Sequence, residues 1–508
     1  MKESYWILSS ESKKYKILHE NIETSYLVVG GGITGLTTAF LLAKENLNVT
    51  LVDADRIGYG ATGRSTGKIT TQHNSYAKIE RKYGLNKAKQ YYEANNKALK
   101  FIESIIDEYN IDCDFEKVPA FTYTSDENYI EELREEYEAC IRIGIPCDYY
   151  DNIEGLPIEV KGAISFPNQG QFNPKKYINA LGEICKKLGV NIYEKTAVTD
   201  LEEDDKYKVK TASGNIITTK NLIIASHVPW HDGGLKLYFG REEANKSYLI
   251  ASDLNVNLPK GMFLSIDNTS RTFKIYNDGV KKVLIIGGYD FKVGKEDVSY
   301  SIYDEIEDFA KNNFNSSKTY TKWMTQDYMS FDDIPYIGNI NSKDKGIYVA
   351  TGFCKWGNTN GTIAGIIIKD LIINNKSEFK ELFNPTRSGS YLNLKFISKN
   401  LEVAYDYIKG KLDLGDDNIP IEKGEGGIVN IDGKKYGAFR NYDGKLHIVD
   451  ITCTHLGCEL RFNKEEHTWD CPCHGSRFNY DGNILVGPAL KPLKKYGQGE
   501  NKIDPKLF

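Results

Sequence analysis

The chain has 508 residues, 40% of them hydrophobic and 27% charged, with a formal net charge of −5 and a pI near 6.0. Such a length and composition fit a globular protein of about three domains and exclude a disordered or fibrous chain. The weak negative charge, with lysines interleaved among Glu and Asp, argues against a nucleic-acid partner.

Residues 1–24 read as a polar leader without the apolar stretch of a secretory signal. The longest apolar runs, Leu27 to Ala43 and Gly361 to Ile373, are broken by glycines or by Lys369 and Asp370. No transmembrane segment is expected, and the expected location is cytoplasmic. SYLVVGG then predicts a buried strand, Ile33 to Asn46 a helix, and NVTLVDA a second strand. Helical spacing with dense charge predicts exposed amphipathic helices over Lys78–Tyr109 and Glu127–Ile143. Val190 to Ala225 and residues 247–292 predict strands, followed by a helix over 300–312. GIYVATGF predicts a strand and TNGTIAGIIIKDLII a helix, and Asn384-Pro385-Thr386-Arg387 closes this block. Leu392 to Leu412 reads as a connecting helical segment, with a boundary near 416 in a glycine-rich run. Beyond it, short strands with turns at Asp432-Gly433, Asp443-Gly444 and Asp481-Gly482 predict a small all-β domain.

Gly30-Gly31-Gly32-Ile33-Thr34-Gly35 fits G-x-G-x-x-G between a strand and a helix, and Asp53 ends the next strand. Glycines let the backbone approach a pyrophosphate, the helix N-terminus supplies N–H donors, and the carboxylate accepts ribose hydroxyls. The fingerprint alone does not separate FAD from NAD. Gly58-Tyr59-Gly60-Ala61-Thr62-Gly63-Arg64-Ser65-Thr66-Gly67-Lys68 follows the second strand. Asn168-Gln169-Gly170-Gln171-Phe172-Asn173-Pro174 stands in mid-chain. Asp332-Asp333-Ile334-Pro335-Tyr336-Ile337-Gly338 and Gly352 to Gly361 stand near residue 385. On these motifs, residues 25–385 resemble the D-amino-acid oxidase/glycine oxidase (DAO) family of FAD-dependent oxidoreductases.

The resemblance implies an α/β FAD-binding Rossmann-like domain with an inserted α+β substrate domain. It puts the FAD part at about 25–80, 165–235 and 320–385, and the substrate part at about 81–164 and 236–319. It implies FAD held by Gly30, Gly32, Gly35 and Asp53, by Arg64, Ser65 and Thr66, and by Gly352, Gly357, Thr359 and Gly361. The helix opening at Thr359 would aim its N–H groups at the flavin pyrimidine edge. Cys354 lies in the last motif, but non-covalent FAD is the expectation. Family members oxidise an amine or amino acid by hydride transfer to flavin. A carboxylate substrate calls for a cation, and Lys68, Arg241 and Arg271, with Lys274, are the candidates.

Of nine cysteines, Cys113, Cys140, Cys147, Cys185 and Cys354 are scattered and read as small buried hydrophobes. The other four lie in Cys453-Thr454-His455-Leu456-Gly457-Cys458 and Cys471-Pro472-Cys473-His474-Gly475-Ser476. C-x-H…C-x-x-H is not a usual zinc spacing. It resembles the Rieske proteins of cytochrome bc-type complexes, which implies an all-β domain over 417–508, after a linker at 386–416. The resemblance assigns a [2Fe–2S] cluster to Cys453, His455, Cys471 and His474, and a disulfide to Cys458 and Cys473. Ser476 matches a hydroxyl that hydrogen-bonds a cluster sulfide, and Gly487-Pro488-Ala489 a covering loop. Where the family carries a Tyr whose OH reaches a ligand sulfur, this chain has Phe478, which predicts a lowered potential.

His227, His231 and Asp232 could compose a two-His, one-carboxylate iron site, but Pro229 makes a loop the preferred reading. Taken together, the motifs predict a flavin dehydrogenase for a small amine or amino acid, with the cluster passing electrons to an outside one-electron acceptor. The alternatives are an NAD(P)H-linked reductase and a redox sensor without turnover. The reductase needs a second nucleotide fold, and Ile286-Gly287-Gly288-Tyr289 lacks the fingerprint.

Overall fold

The computed structural model describes residues 2–232, 237–295, 299–341, 346–387, 398–400, 402–405 and 421–496. The strand Ile22–Val29 lies between Val49–Val52 and Ile216–Ile224, parallel to both. Asn191–Tyr193 and Ile347–Thr351 extend this parallel sheet on either side, and Tyr336–Asn339 closes one edge antiparallel. Leu27, Val28, Leu51, Val52, Leu222 and Ile223 are fully buried, which explains their unbroken apolar runs: helices cover the face of Val28, Leu51 and Ile223, while Leu18, Val198, Val209 and Tyr238, from strands and loops, cover the face of Leu27, Val52 and Leu222. Helix Ile33–Lys44 packs on helix Gly357–Asn374 through glycines. A Cβ on Gly361 would lie 2.6 Å from Thr34 Oγ1, and one on Gly365 2.8 Å from Thr37 Cγ2.

The second sheet has nine strands. Thr319–Ser330, Glu242–Asp253, Lys282–Lys292, Arg271–Asn277, Met262–Ser265, Glu116–Thr124, Gly162–Gln171 and Lys68–Ile69 follow one another across it, and Asp148–Tyr150 pairs off the side. Its pairs are antiparallel except Met262–Ser265 on Glu116–Thr124. The helices expected over Lys78–Tyr109 form as Tyr76–Tyr83 and Leu85–Glu108, split at Gly84 with φ +83. Ala88, Tyr91, Ala98, Ile102 and Ile105 bury one face of the longer helix, as its spacing requires.

The chain crosses between the sheets more often than the sequence partition has it. Gly162–Gln171 and Thr319–Ser330, expected in the FAD part from residues 165 and 320, both pair in the nine-stranded sheet. Strand spacing does not report the partner strand, which is chosen by long-range pairing. Ile286-Gly287-Gly288-Tyr289 lies inside the antiparallel strand Lys282–Lys292, where a Cβ on Gly287 would meet Tyr248 O at 2.5 Å. The leader is not a solvated tail. Tyr5, Trp6 and Ile7 are buried in the short helix Tyr5–Leu8. Trp6 Nε1 donates to Ser65 O at 2.7 Å, Ser4 Oγ donates to Gly63 O, and Trp6 packs edge-on against Tyr276. Three apolar residues are too few to signal a core in sequence.

The C-terminal part has a three-stranded sheet (Gly426–Ile431, Lys434–Arg440, Leu446–Val449) and a four-stranded one (Arg461–Asn463, Thr468–Asp470, Arg477–Asn479, Ile484–Val486). Asp432 and Gly433, at φ 52 and 77, make the two-residue hairpin turn that their side chains favour. The boundary near 416 lies outside the described residues, as does most of the Leu392–Leu412 segment; residues 398–400 and 402–405 are helical.

Candidate cofactor sites and the seam between them

Gly30, Gly32 and Gly35 turn the chain from the first strand into the helix. Gly30 has φ +114, and a Cβ there would lie 2.3 Å from Ala225 O. A Cβ on Gly35 would lie 1.8 Å from Gly30 O, so neither position admits a side chain. Gly32 has no side chain to cap the helix, Thr62 Oγ1 accepts the Ile33 N–H at 3.1 Å, and a Cβ on Gly32 would meet only that oxygen, also at 3.1 Å. The Asp53 carboxylate accepts the Gly31 N–H at 2.6 Å and the Asp55 N–H at 2.7 Å. Burial pushes its pKa up to about 6, against those hydrogen bonds.

A second helix N-terminus opens at Gly357, also without a side-chain cap. Because Gly361 packs on Ile33 and Thr34, the two N-termini sit together at one end of the parallel sheet. Asn358 Nδ2 donates to Lys68 O at 2.8 Å, and Thr359 Oγ1 lies 3.1 Å from His73 Nε2. The loop Lys68–His73 is thereby stitched to this helix. His73, which sequence reading passed over, stacks on Trp356 at 4.7 Å, and burial pushes its pKa down to about 3. Gln72 Oε1 and Asn360 Oδ1 are buried nearby without a hydrogen-bond partner. Two adjoining helix N-termini, glycine clearance, a ribose-type carboxylate and orphaned polar atoms suit the pyrophosphate and polar edge of FAD.

Arg64 faces the leader: its Nη1 donates to Lys2 O at 2.6 Å and its Nε to Tyr59 O at 3.2 Å. Ser65 Oγ donates to Thr62 O at 2.9 Å, Thr66 is half-buried in the same loop, and Gly352 has φ +72. The structure brings Lys68 and Lys274 together. Lys68 Nζ donates to Phe263 O at 2.8 Å and Thr272 Oγ1 at 2.7 Å, while Lys274 Nζ donates to Gly67 O at 3.1 Å. Burial pushes the Lys68 pKa down to about 7 and that of Lys274 well below its ordinary value. Arg241 and Arg271 lie apart from this pair. Arg241 donates to Pro385 O at 2.9 Å and stacks on Tyr336, and Arg271 stacks on Tyr289 and Phe309. His227 and His231 do not converge: His227 Nε2 bonds Gln326 O at 3.0 Å, and His231 Nε2 lies 3.2 Å from Glu203.

The loops 453–458 and 471–476 face each other and are joined by the disulfide Cys458–Cys473. The Sγ atoms of Cys458, Cys471 and Cys473 lie within 4.8 Å of one another, but two of them are consumed by the disulfide, which leaves Cys453 and Cys471 as free thiols. The imidazoles of His455 and His474 stand 5.2 Å apart, and both Nδ1 atoms are buried without a hydrogen-bond partner. Two thiols and two orphaned ring nitrogens are the donor set of a Rieske cluster. Ser476 Oγ accepts the Ala489 N–H at 3.0 Å, which ties the Gly487-Pro488-Ala489 loop over the site, and Phe478 is fully buried.

This domain is seated on two strands of the nine-stranded sheet. Lys246 Nζ lies 2.6 Å from Asp470 Oδ2, with both side chains fully buried, and Asp470 also pairs with Arg477 at 3.0 Å. Burial pushes the Asp470 pKa up, but the Arg477 and Lys246 cations overcome this and hold it well below the usual carboxylate range. Gln326 Nε2 donates to Gly475 O at 2.9 Å, and Tyr328 OH to Gly487 O at 3.0 Å. A Cβ on Gly475 would lie 2.3 Å from that of Ala244.

The FAD dependent oxidoreductase (DAO) family model matches residues 25–371, and the Rieske [2Fe-2S] domain model matches residues 416–497. Over 97% of both chains, the sequence is 38% identical to a putative Rieske 2Fe-2S iron-sulfur protein, YhfW, of Bacillus subtilis. It is 24% identical to the gamma-glutamylputrescine oxidoreductase of Escherichia coli, over 80% of this chain and 98% of that one. Among solved structures, glycine oxidase from Geobacillus kaustophilus superposes with a TM-score of 0.60 at 19% identity, covering 72% of this chain and 99% of that one. L-proline dehydrogenase from P. horikoshii gives 0.60 at 22% identity, covering 73% and 98%. The chain thus belongs to the DAO family of FAD-dependent oxidoreductases, an FAD- and [2Fe–2S]-binding enzyme with a Rieske domain at its C-terminal end.

Proposed function

We propose that the protein is a dehydrogenase for an amine or amino-acid-like substrate, in which electrons pass from flavin through the Rieske cluster to an external one-electron acceptor. The observation that carries this reading is the seam. The cluster loops rest on Glu242–Asp253 and Thr319–Ser330 through Lys246, Gln326 and Tyr328, so the two redox sites belong to one packed body. Bound FAD supplies a two-electron acceptor for a C–H beside nitrogen, and the cluster a one-electron carrier. On this reading Gly30, Gly32, Gly35, Asp53 and the helix opening at Gly357 hold FAD, with the loop Arg64–Thr66 beside it. Cys453, His455, Cys471 and His474 hold the cluster. Lys68, with a pKa near 7, is free to take a proton from a substrate ammonium at neutral pH. Relatives named for glutamylputrescine, glycine and L-proline favour amine-type substrates.

The reductase alternative is disfavoured by Ile286-Gly287-Gly288-Tyr289, whose place inside a strand offers no second nucleotide turn. Anaerobic titration with amines and amino acids separates the readings. Bleaching of the flavin followed by the EPR signal of a reduced cluster is expected. Reduction by NAD(P)H alone would indicate the reductase, and no reduction by either a sensor.

A further inference from the structure

The turn Tyr238–Gly240 sets one aromatic ring against both histidines of the cluster site. Phe239 packs edge-on to His455 and to His474, at 4.7 Å between ring centroids in each case and interplanar angles of 86° and 80°. The turn is braced from three sides. Tyr238 OH donates to Ile340 O at 2.9 Å, the neighbouring Arg241 donates to Pro385 O at 2.9 Å, and Asn400 Nδ2 donates to Gly240 O at 2.9 Å. Three residues beyond Asn400, Val403 packs on the apolar core of the Rieske domain. The chain therefore spends a half-buried aromatic, a carbonyl brace and part of its interdomain segment on covering one edge of one site. His474 is left 7% exposed, and His455 half-buried.

We propose that Phe239 is a lid on the cluster: a positioning residue of the oxidoreductase part that caps one edge of both imidazole ligands, keeps water off that edge and closes it to outside redox partners. The inference rests on the cluster, not on the substrate class, and stands whichever donor reduces the flavin. Its electrostatic consequence has a definite sign. The two thiolates cancel the charge of the diferric core, so adding one electron, which takes one iron from ferric to ferrous, leaves a net negative charge. An apolar lid disfavours that charged form, and water stabilises it. Removing the lid raises the potential.

The test uses the full chain with both cofactors loaded. Phe239→Ala is expected to shift the cluster's one-electron reduction equilibrium toward the reduced form by about tenfold, about 59 mV in an EPR-monitored titration. After transfer to heavy water, pulsed EPR should detect stronger deuterium coupling at the imidazoles than in the wild type. Oxidation of the reduced cluster by ferricyanide, a small one-electron acceptor, should be about tenfold faster, as expected of an opened site. Phe239→Leu retains an apolar cap and should behave as wild type in all three. If the alanine variant loses its cluster, Asn400→Ala, which removes a brace and leaves the ring, should move each readout the same way by less. Deuterium coupling in Phe239→Ala no stronger than in the wild type overturns the proposal. So do an unchanged potential and oxidation rate in Phe239→Ala, or in Asn400→Ala where it stands in.

Discussion

Replacing Lys246 by Met removes one cation from a charge group with no access to water. Asp470 receives Lys246 Nζ at 2.6 Å, Arg477 Nε at 3.0 Å and Thr468 Oγ1 at 2.7 Å. Stripping a buried ion of its sole partner costs about 3–5 kcal/mol. Here Arg477 stays, so the loss is one charge-assisted hydrogen bond, about 1.5–3 kcal/mol. The converse change, Asp470→Asn, leaves Lys246 and Arg477 as two buried cations with no anion between them, and belongs at the upper end of that first range, about 5 kcal/mol. Lys246 comes from the oxidoreductase and Asp470 from the Rieske domain, so the deficit falls on the seam. Urea unfolding should be followed by flavin fluorescence and by cluster absorbance. The two probes should coincide in the wild type and separate in Lys246→Met, with the cluster transition at the lower midpoint. A Lys246→Met protein at least as stable as wild type, with coincident probes, would refute the reasoning, because Met would then be filling the space as well as the ion pair does.

Gly35→Ala puts a Cβ 1.8 Å from Gly30 O and should yield protein without bound flavin, read as the ratio of flavin to protein absorbance. Substrate turnover should rise as pH increases through about 7, because Lys68 becomes a free amine above its lowered pKa and is protonated below it. Lys68→Met should lose that limb of the pH–kcat/KM profile and about 100-fold in rate, the lower range for a general base. Cys458→Ser opens a loop of sequence separation 15, worth about 3 kcal/mol to the fold of the cluster loops, and should shorten the half-life of cluster absorbance on warming. Phe478→Tyr, by adding about 1 kcal/mol of hydrogen bonding to a ligand sulfur, should raise the potential by about 40 mV in the same EPR titration.

Both candidate cofactor sites were legible because each contains motifs that are short runs of sequence. Gly35 answers to a clash with Gly30 O inside one strand–turn–helix unit, although Gly30 itself must clear Ala225 O at the end of a distant strand, and the cluster loops keep their candidate ligands in two runs of six residues. What escaped was long-range. Nothing in the spacing of Gly162–Gln171 says that it pairs with Glu116–Thr124 rather than entering the parallel sheet. His73 stands five positions beyond Lys68, and its role as a stitch to Thr359 depends on a helix that begins almost three hundred residues later. Phe239 is one aromatic in a loop until the Rieske domain arrives against it. Lys246 did leave a trace: a lysine in the buried run Glu242–Asp253 is a charge pointing inward and needs an anion. The choice between Lys68 and the two arginines turns on which cations meet, and that is a property of the folded sheet.

The buried leader has a consequence for how the molecule is made. Trp6 leaves the ribosome long before its walls, which are Tyr276, Val283, Ile285 and Trp323, and Thr321 Oγ1 donates to Glu3 O. At about 5–20 residues per second, synthesis takes tens of seconds to reach those positions. For that time the first residues have nowhere to dock, and the loop they brace at Gly63 and Ser65 stays unbraced. The glycine turn and the loop after it, encoded within the first seventy residues, are therefore finished from the far side of the chain.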